Sequence, residues 1–232
     1  LGDVYKRQVG KLMAALDELK QADKTLVFFT SDNGPETLRR YGGAARSFGS
    51  PGPLRGMKLW LYEGGIRVPF LARWPARLPA GETFDAPVHH FDMYATAAAA
   101  AGADLPTDRV MDGVDLTAYV TGIDTTQAPH EYLFFRSGAA QAVRDERWKL
   151  MVSAPEGQPR KEWLFDLTAE GEWQDLLAEQ PDVAVRLRQA LEGHNAEQQP
   201  SRWPWVSTTA YNVDRDLSQE DEPDDEFAYW SN

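Results

Sequence analysis

Residues 25–36 read TLVFFTSDNGPE. A continuous apolar run, Leu26 to Phe29, stops within three residues at Asp32-Asn33-Gly34. Short apolar runs of this kind suit a strand buried on both faces, as in a sheet covered by helices. The preceding residues support that setting. Val9, Leu12, Met13, Leu16 and Leu19 recur at helical spacing, with Lys11, Asp17, Glu18 and Lys20 outside the stripe. A helix followed by a buried strand is the grammar of an α/β layer.

In such sheets ligands bind beyond the carboxyl ends of the strands. A strand running into Asp32 and Asn33 places a carboxylate and an amide oxygen there, the donor types that Ca²⁺ and Mg²⁺ prefer. Gly34 lets the backbone turn without putting a side chain in the way. Asp-Asn-Gly is also an ordinary turn, and the tripeptide alone does not separate the two readings. The next 23 residues, Gly34 to Gly56, hold six glycines and three prolines. Loops of that length inside a domain are usually functional or disordered. The chain then reads GMKLWLYEGG, with Lys58 between Gly56 and the Gly64-Gly65 pair. A lysine is a compact charge suited to an anionic oxygen; beside a glycine turn it is as readily a solvated surface group.

Further along, residues 66–74 read as a strand with Pro69 at an edge or bulge. Residues 91–101 form an alanine-rich helix closed by Gly102. Beyond Pro129 short strands are expected at 132–135, 141–143, 148–152 and 163–167, joined by polar turns. Pro181 opens a helix carrying Val183, Leu187 and Leu191 on one face and ending at Gly193.

Taken together, TLVFFTSDNG, LRGMKLWLYEGGIRVPFLARWP, VRDERWKL and WLFDL resemble the sulfatase family of the alkaline-phosphatase-like superfamily, up to about Leu191. The combination of Ser-Asp-Asn-Gly with Gly-x-Lys-x4-Glu-Gly-Gly-x-Arg-x-Pro carries the resemblance. It implies an α/β fold: part of an alkaline-phosphatase-like sheet flanked by helices over residues 1–125, then a small antiparallel α+β subdomain over 126–195. An acidic extension follows over 196–232. By the same resemblance Asp32 and Asn33 bind a divalent cation, usually calcium, and Lys58 contacts the substrate sulfate. The nucleophile is a formylglycine made from Cys or Ser in a Cys/Ser-x-Pro-Ser-Arg motif, which does not occur in this sequence.

The expected activity is hydrolysis of a sulfate ester on a small molecule or glycan. The chain is read as the C-terminal portion of such an enzyme, inactive alone. Two other readings stay open: a phosphodiesterase or phosphonate hydrolase of the same superfamily, and an inactive calcium-binding module. Glu36, Arg39 and Arg55, with Arg40 and Arg46, are loop charges that can meet a substrate carboxylate or second sulfate. Glu63 and Arg67 are read as scaffold, a charged pair fixing the Gly64-Gly65 turn. His89, His90, His130 and His194 receive no catalytic role. Export to the periplasm or outside the cell is implied by the family alone.

Charge and cysteine bound the remaining possibilities. Twenty-four basic against 36 acidic residues give −12, which argues against a general nucleic-acid binder. From Asp214 to Glu226, eight acids and one arginine make a solvated acidic stretch. With no cysteine, the chain has neither disulfides nor thiolate metal sites. No apolar run reaches membrane-spanning length.

Overall fold

The computed structural model describes residues 2–36, 49–122, 128–169, 171–199, 202–203, 208–212 and 227–231. Arg39, Arg40, Arg46 and the acidic stretch 214–226 lie outside the described residues. In chain order the elements are α1 (Gly2–Glu18), β1 (Val27–Thr30), α2 (Glu63–Ile66), β2 (Phe70–Arg73), α3 (Asp92–Ala101) and α4 (Thr117–Val120). There follow β3 (Leu133–Ser137), β4 (Ala140–Arg144), β5 (Trp148–Ser153), β6 (Lys161–Asp166), α5 (Pro181–Glu197), β7 (Thr208–Asn212) and β8 (Phe227–Ser231). None of the described helices is long and apolar enough to cross a membrane. The chain divides into two compact units: Leu1–Thr30 with Pro69–His130, and Ser31–Val68 with Glu131–Asn232.

In the first unit β1 pairs antiparallel with β2, Val27 opposite Arg73 and Thr30 opposite Phe70. The rings of Phe28 and Phe70 meet at 5.6 Å. The apolar run is thus a strand, as expected, but not one buried on both faces: Phe29 is 48% and Leu71 57% exposed. The reason is the partner count. Among the described residues β1 has β2 alone beside it, and a two-stranded ribbon has too little surface to cover itself. Val9, Met13 and Leu16 of the α1 stripe are half-buried, while Leu12 is exposed, as is Leu19 just beyond the helix.

The helix α3 is held by its polar residues as much as by its alanines. Asp92 is fully buried and accepts hydrogen bonds from the backbone N–H of His89 (2.7 Å) and of Val114 (3.0 Å). The Thr96 hydroxyl accepts from the N–H of Leu116 at 3.0 Å. Two inward-facing side chains of one helix thereby carry the 114–116 loop. The helix ends at Gly102, whose φ of 68° is the left-handed conformation that closes helices at little cost for glycine.

The second unit is built on the meander β3-β4-β5-β6, all neighbours antiparallel. Its side chains alternate between two covered faces. Val143, Leu150, Val152 and Leu164 meet Ala184, Leu187 and Leu191 of α5. Ala140, Ala142, Met151, Trp163 and Phe165 meet Met57, Trp60, Leu61 and Tyr62. Burial on both sides explains why β5 is nearly continuous in apolar residues although its sheet is antiparallel. The start of α5 at Pro181 matches the sequence expectation, but the helix runs on through Gly193 to Glu197. An internal glycine costs about 1 kcal/mol relative to alanine. The turn beyond it has compensating contacts: His194 stacks on Phe134, and Asn195 hydrogen-bonds Gln141.

Candidate functional site

Asp32, Asn33 and Lys58 all lie in the second unit, brought close by backbone contacts rather than by side chains. The Gly34 N–H donates to the carbonyl of Gly65 at 2.8 Å, and the Lys58 N–H donates to the carbonyl of Pro35 at 2.9 Å. The Gly64 N–H in turn donates to the carbonyl of Arg55 at 2.7 Å. The segment carrying Asp32-Asn33 is therefore clamped between the two ends of the Lys58 turn.

The glycines are the condition for that clamp. A Cβ on Gly34 would overlap the carbonyl of Gly64, and one on Gly64 would overlap the carbonyls of Gly56 and Arg55. Close approach of backbone to backbone leaves no room for a methyl group. The helical turn α2, which contains both glycines of the pair, was not expected: residues 63–66 have poor helix propensity and form a turn here because tertiary contacts impose it.

Within this clamp the donors of the candidate cation site are partly ordered. The Asn33 side-chain N–H donates to the carbonyl of Gly34 at 2.8 Å, which fixes the amide. The Ser31 hydroxyl donates to the carbonyl of Asn33 at 2.9 Å. Asp32 is exposed, and its carboxylate has no hydrogen-bond or ion-pair partner among the described residues. A carboxylate oxygen and an amide oxygen, two residues of one turn, fit two corners of a hard-cation site. Among the described residues no group of three or more His, Cys, Asp or Glu forms a metal-binding cluster.

Lys58 is half-buried, and its ammonium has no acceptor among the described residues. The next residue, Leu59, has φ of 86°, a conformation rare for a side chain of its size. Its side chain packs against the Trp60–Tyr62 core cluster, which holds the unfavourable backbone in place.

Glu63 does serve as scaffold, but its carboxylate bonds to residues other than Arg67, whose N–H donates to the Glu63 carbonyl at 2.8 Å. Arg144 donates to its Oε2 at 2.8 Å, and the Lys149 ammonium donates to its Oε1 at 3.1 Å. Lys149 is fully buried and also meets Glu172 Oε1 at 2.7 Å. Glu172 Oε2 accepts the backbone N–H of Glu63 at 2.5 Å. Burial pushes the Glu63 carboxyl up, but Lys149 and then Arg144 outweigh it and hold the group below its ordinary value. For Glu172 burial prevails over Lys149, and with the Glu63 charge nearby its carboxyl sits above its ordinary value. One lysine is thus shared by two carboxylates that it does not serve equally. Neither Lys149, in an otherwise apolar strand, nor Glu172, in the polar stretch after β6, is singled out by the sequence.

The remaining candidates are distributed as follows. Arg55 is 5% exposed: it donates to the carbonyl of Glu172 at 2.8 Å and lies over the Tyr62 ring at 4.5 Å. Its guanidinium is committed to the interior of the unit rather than offered from a solvated loop. Glu36 is half-buried at the loop's start. The histidines make local contacts. In the first unit His130 Nε2 lies 2.9 Å from both oxygens of Asp92, and His90 Nε2 lies 3.0 Å from Thr30 Oγ1. His89 stacks on Phe91 at 4.1 Å.

The sulfatase family profile matches residues 6–103, and the profile of the N-sulphoglucosamine sulphohydrolase C-terminal region matches residues 57–197, more than half of the chain. Steryl-sulfatase of Mus musculus is 43% identical over 156 residues, 65% of this chain and 25% of that protein. Arylsulfatase A of Homo sapiens is 42% identical over 136 residues, 59% of this chain and 25% of that protein. The chain spans about a quarter of the length of the curated relatives it matches.

Among solved structures, Ps i-CgsB in complex with k-i-k-neocarrahexaose superposes with a TM-score of 0.69 at 30% identity, covering 85% of this chain and 42% of that one. A structure from work on glycosaminoglycan metabolism by Bacteroides thetaiotaomicron gives a TM-score of 0.67 at 28% identity, covering 82% and 42%. The fold is the corresponding part of an alkaline-phosphatase-like α/β protein with its antiparallel subdomain. On the breadth of these matches, the chain belongs to the sulfatase family.

Proposed function

We propose that this chain is the C-terminal portion of an enzyme that hydrolyses a sulfate ester on a small molecule or glycan, and that the isolated chain does not turn over. The observation that carries the reading is the clamp: Gly34 on Gly65 and Lys58 on Pro35 hold, on adjoining backbone, a carboxylate and an ammonium that have no side-chain partner among the described residues. When bound, a divalent cation such as calcium supplies charge neutralisation at the sulfuryl group, and a formylglycine in another part of the protein supplies the nucleophilic oxygen. Asp32 and Asn33 would hold that cation through Oδ atoms. The Lys58 ammonium orients the sulfate and donates to a sulfuryl oxygen as negative charge grows there. Its half-buried setting strengthens that interaction relative to water. The Glu63–Lys149–Glu172 knot keeps the turn in place and touches no substrate.

The test is Lys58→Ala in the whole protein, assayed on 4-nitrophenyl sulfate. Losing one positioned donor of this kind costs about 3–4 kcal/mol of transition-state stabilisation. kcat should fall by at least about a hundredfold, with the far-ultraviolet dichroism unchanged. Near-normal turnover in a folded variant would remove Lys58 from the site.

A further inference from the structure

A pocket of about 360 Å³ opens between the β3–β4 edge of the meander and the last turns of α5. It lies on the face of the sheet that α5 covers, whereas the Lys58 segment packs on the opposite face. It is therefore separate from the candidate site. Its volume falls at the small end of ligand pockets, roughly 300–1,000 Å³, and suits one sugar ring rather than a long polymer.

Gln141, His194, Asn195, Gln198 and Gln199 contribute polar groups over an apolar floor that includes Phe134, and Arg136 brings a guanidinium to the rim. No carboxylate lines the pocket among the described residues. Two of the polar groups are held in place before any ligand arrives. Asn195 Nδ2 donates to Gln141 Oε1 at 3.0 Å, and Gln141 Nε2 donates to Asn195 Oδ1 at 3.4 Å. This reciprocal pair ties α5 to β4 and leaves each amide one N–H and one oxygen lone pair to offer. The His194 ring lies flat on Phe134, centroids 4.0 Å apart and planes parallel, so its plane is also set. The segment that carries these contacts is the turn of α5 that continues past Gly193.

Fixed amides that both donate and accept match vicinal hydroxyls, each of which also donates and accepts. Preorganised side chains lose little entropy on binding. We propose that this pocket is a second, non-catalytic saccharide site that reads the ring hydroxyls of a pyranose. The proposal does not depend on the sulfatase reading, because it concerns binding alone.

The experiment is saturation-transfer difference NMR on the protein with methyl β-D-galactopyranoside and, separately, D-galactose 6-sulfate, titrated into the millimolar range. Both sugars should show transfer. Asn195→Ala should weaken both by at least about fivefold, the loss of one or two hydrogen bonds. Gln198→Ala/Gln199→Ala, at exposed rim positions where folding is not at stake, should weaken both in the same direction. Lys58→Ala should leave transfer from the unsulfated sugar unchanged. The proposal is overturned by any of three results: no transfer from the unsulfated sugar, transfer unaffected by both pocket variants, or transfer abolished by Lys58→Ala.

Discussion

In each unit a buried carboxylate organises a remote loop, and the two are neutralised in opposite ways. Asp92, with no exposure, is surrounded by backbone N–H groups and the His130 ring. Glu63, 3% exposed, is surrounded by Arg144 and Lys149 and shares the lysine with a second carboxylate. Dipoles and an imidazole supply the first; full charges supply the second. The dipolar arrangement spreads the cost of burial over several modest bonds. The ionic one concentrates it, so that removing one member leaves a charge stranded in the interior.

The sharpest way to break the comparison is Lys149→Met. It leaves Glu63 and Glu172 facing each other without their common partner, and stability should fall by about 3–5 kcal/mol, read as a lowered urea midpoint. Adding Glu172→Gln should restore much of the loss, because the carboxylate that had only Lys149 as its cation is then neutral while Glu63 keeps Arg144. Absence of any such recovery would mean that packing, not charge, sets the cost.

Asp92→Asn should cost less, about 1–3 kcal/mol, since the amide keeps one acceptor and misplaces one donor. No single second-site neutralisation should rescue it, and thermal denaturation of the double variants checks this. Equal losses for Lys149→Met and Asp92→Asn would dissolve the distinction.

The smallest effect belongs to a charge pair near the surface. Bonds from Arg147, with help from Thr168, depress the Asp166 carboxyl to about 2 from an ordinary 3.8. A depressed carboxyl contributes stability above its unfolded value, and that contribution is lost as pH falls through the window from about 3.8 to about 2. Arg147 is 58% exposed, so water and salt screen the pair. Asp166→Asn should therefore flatten the acid limb of the stability curve by less than about 1 kcal/mol at neutral pH. The effect should shrink further in 1 M salt.

How far the sequence reveals such features depends on their range. The strands of the meander and the start of α5 follow from period and from Pro181, both local signals. The clamp is half legible: Gly34, Gly64 and Gly65 announce close backbone approach without saying what approaches. The ionic knot is not legible at all, because its members sit at positions 63, 144, 149 and 172 and meet only through tertiary packing. Lys149 between Trp148 and Leu150 looks like the solvent side of an alternating strand. It is inside because both faces of this sheet are covered. The apolar run at β1 misleads in the opposite sense, since its composition fits a sheet interior while its one strand partner leaves Phe29 in the open.

The backbone at Leu59 deserves a last consequence. A leucine at φ of 86° directly after Lys58 is a position where the chain would gain by becoming glycine and the direction of the lysine would be less firmly set. Selection for a more durable protein and selection for a faster one would push this residue apart. A library screened for heat resistance alone should drift toward glycine here, while one screened for turnover should keep a bulky side chain anchored in the tryptophan-lined core.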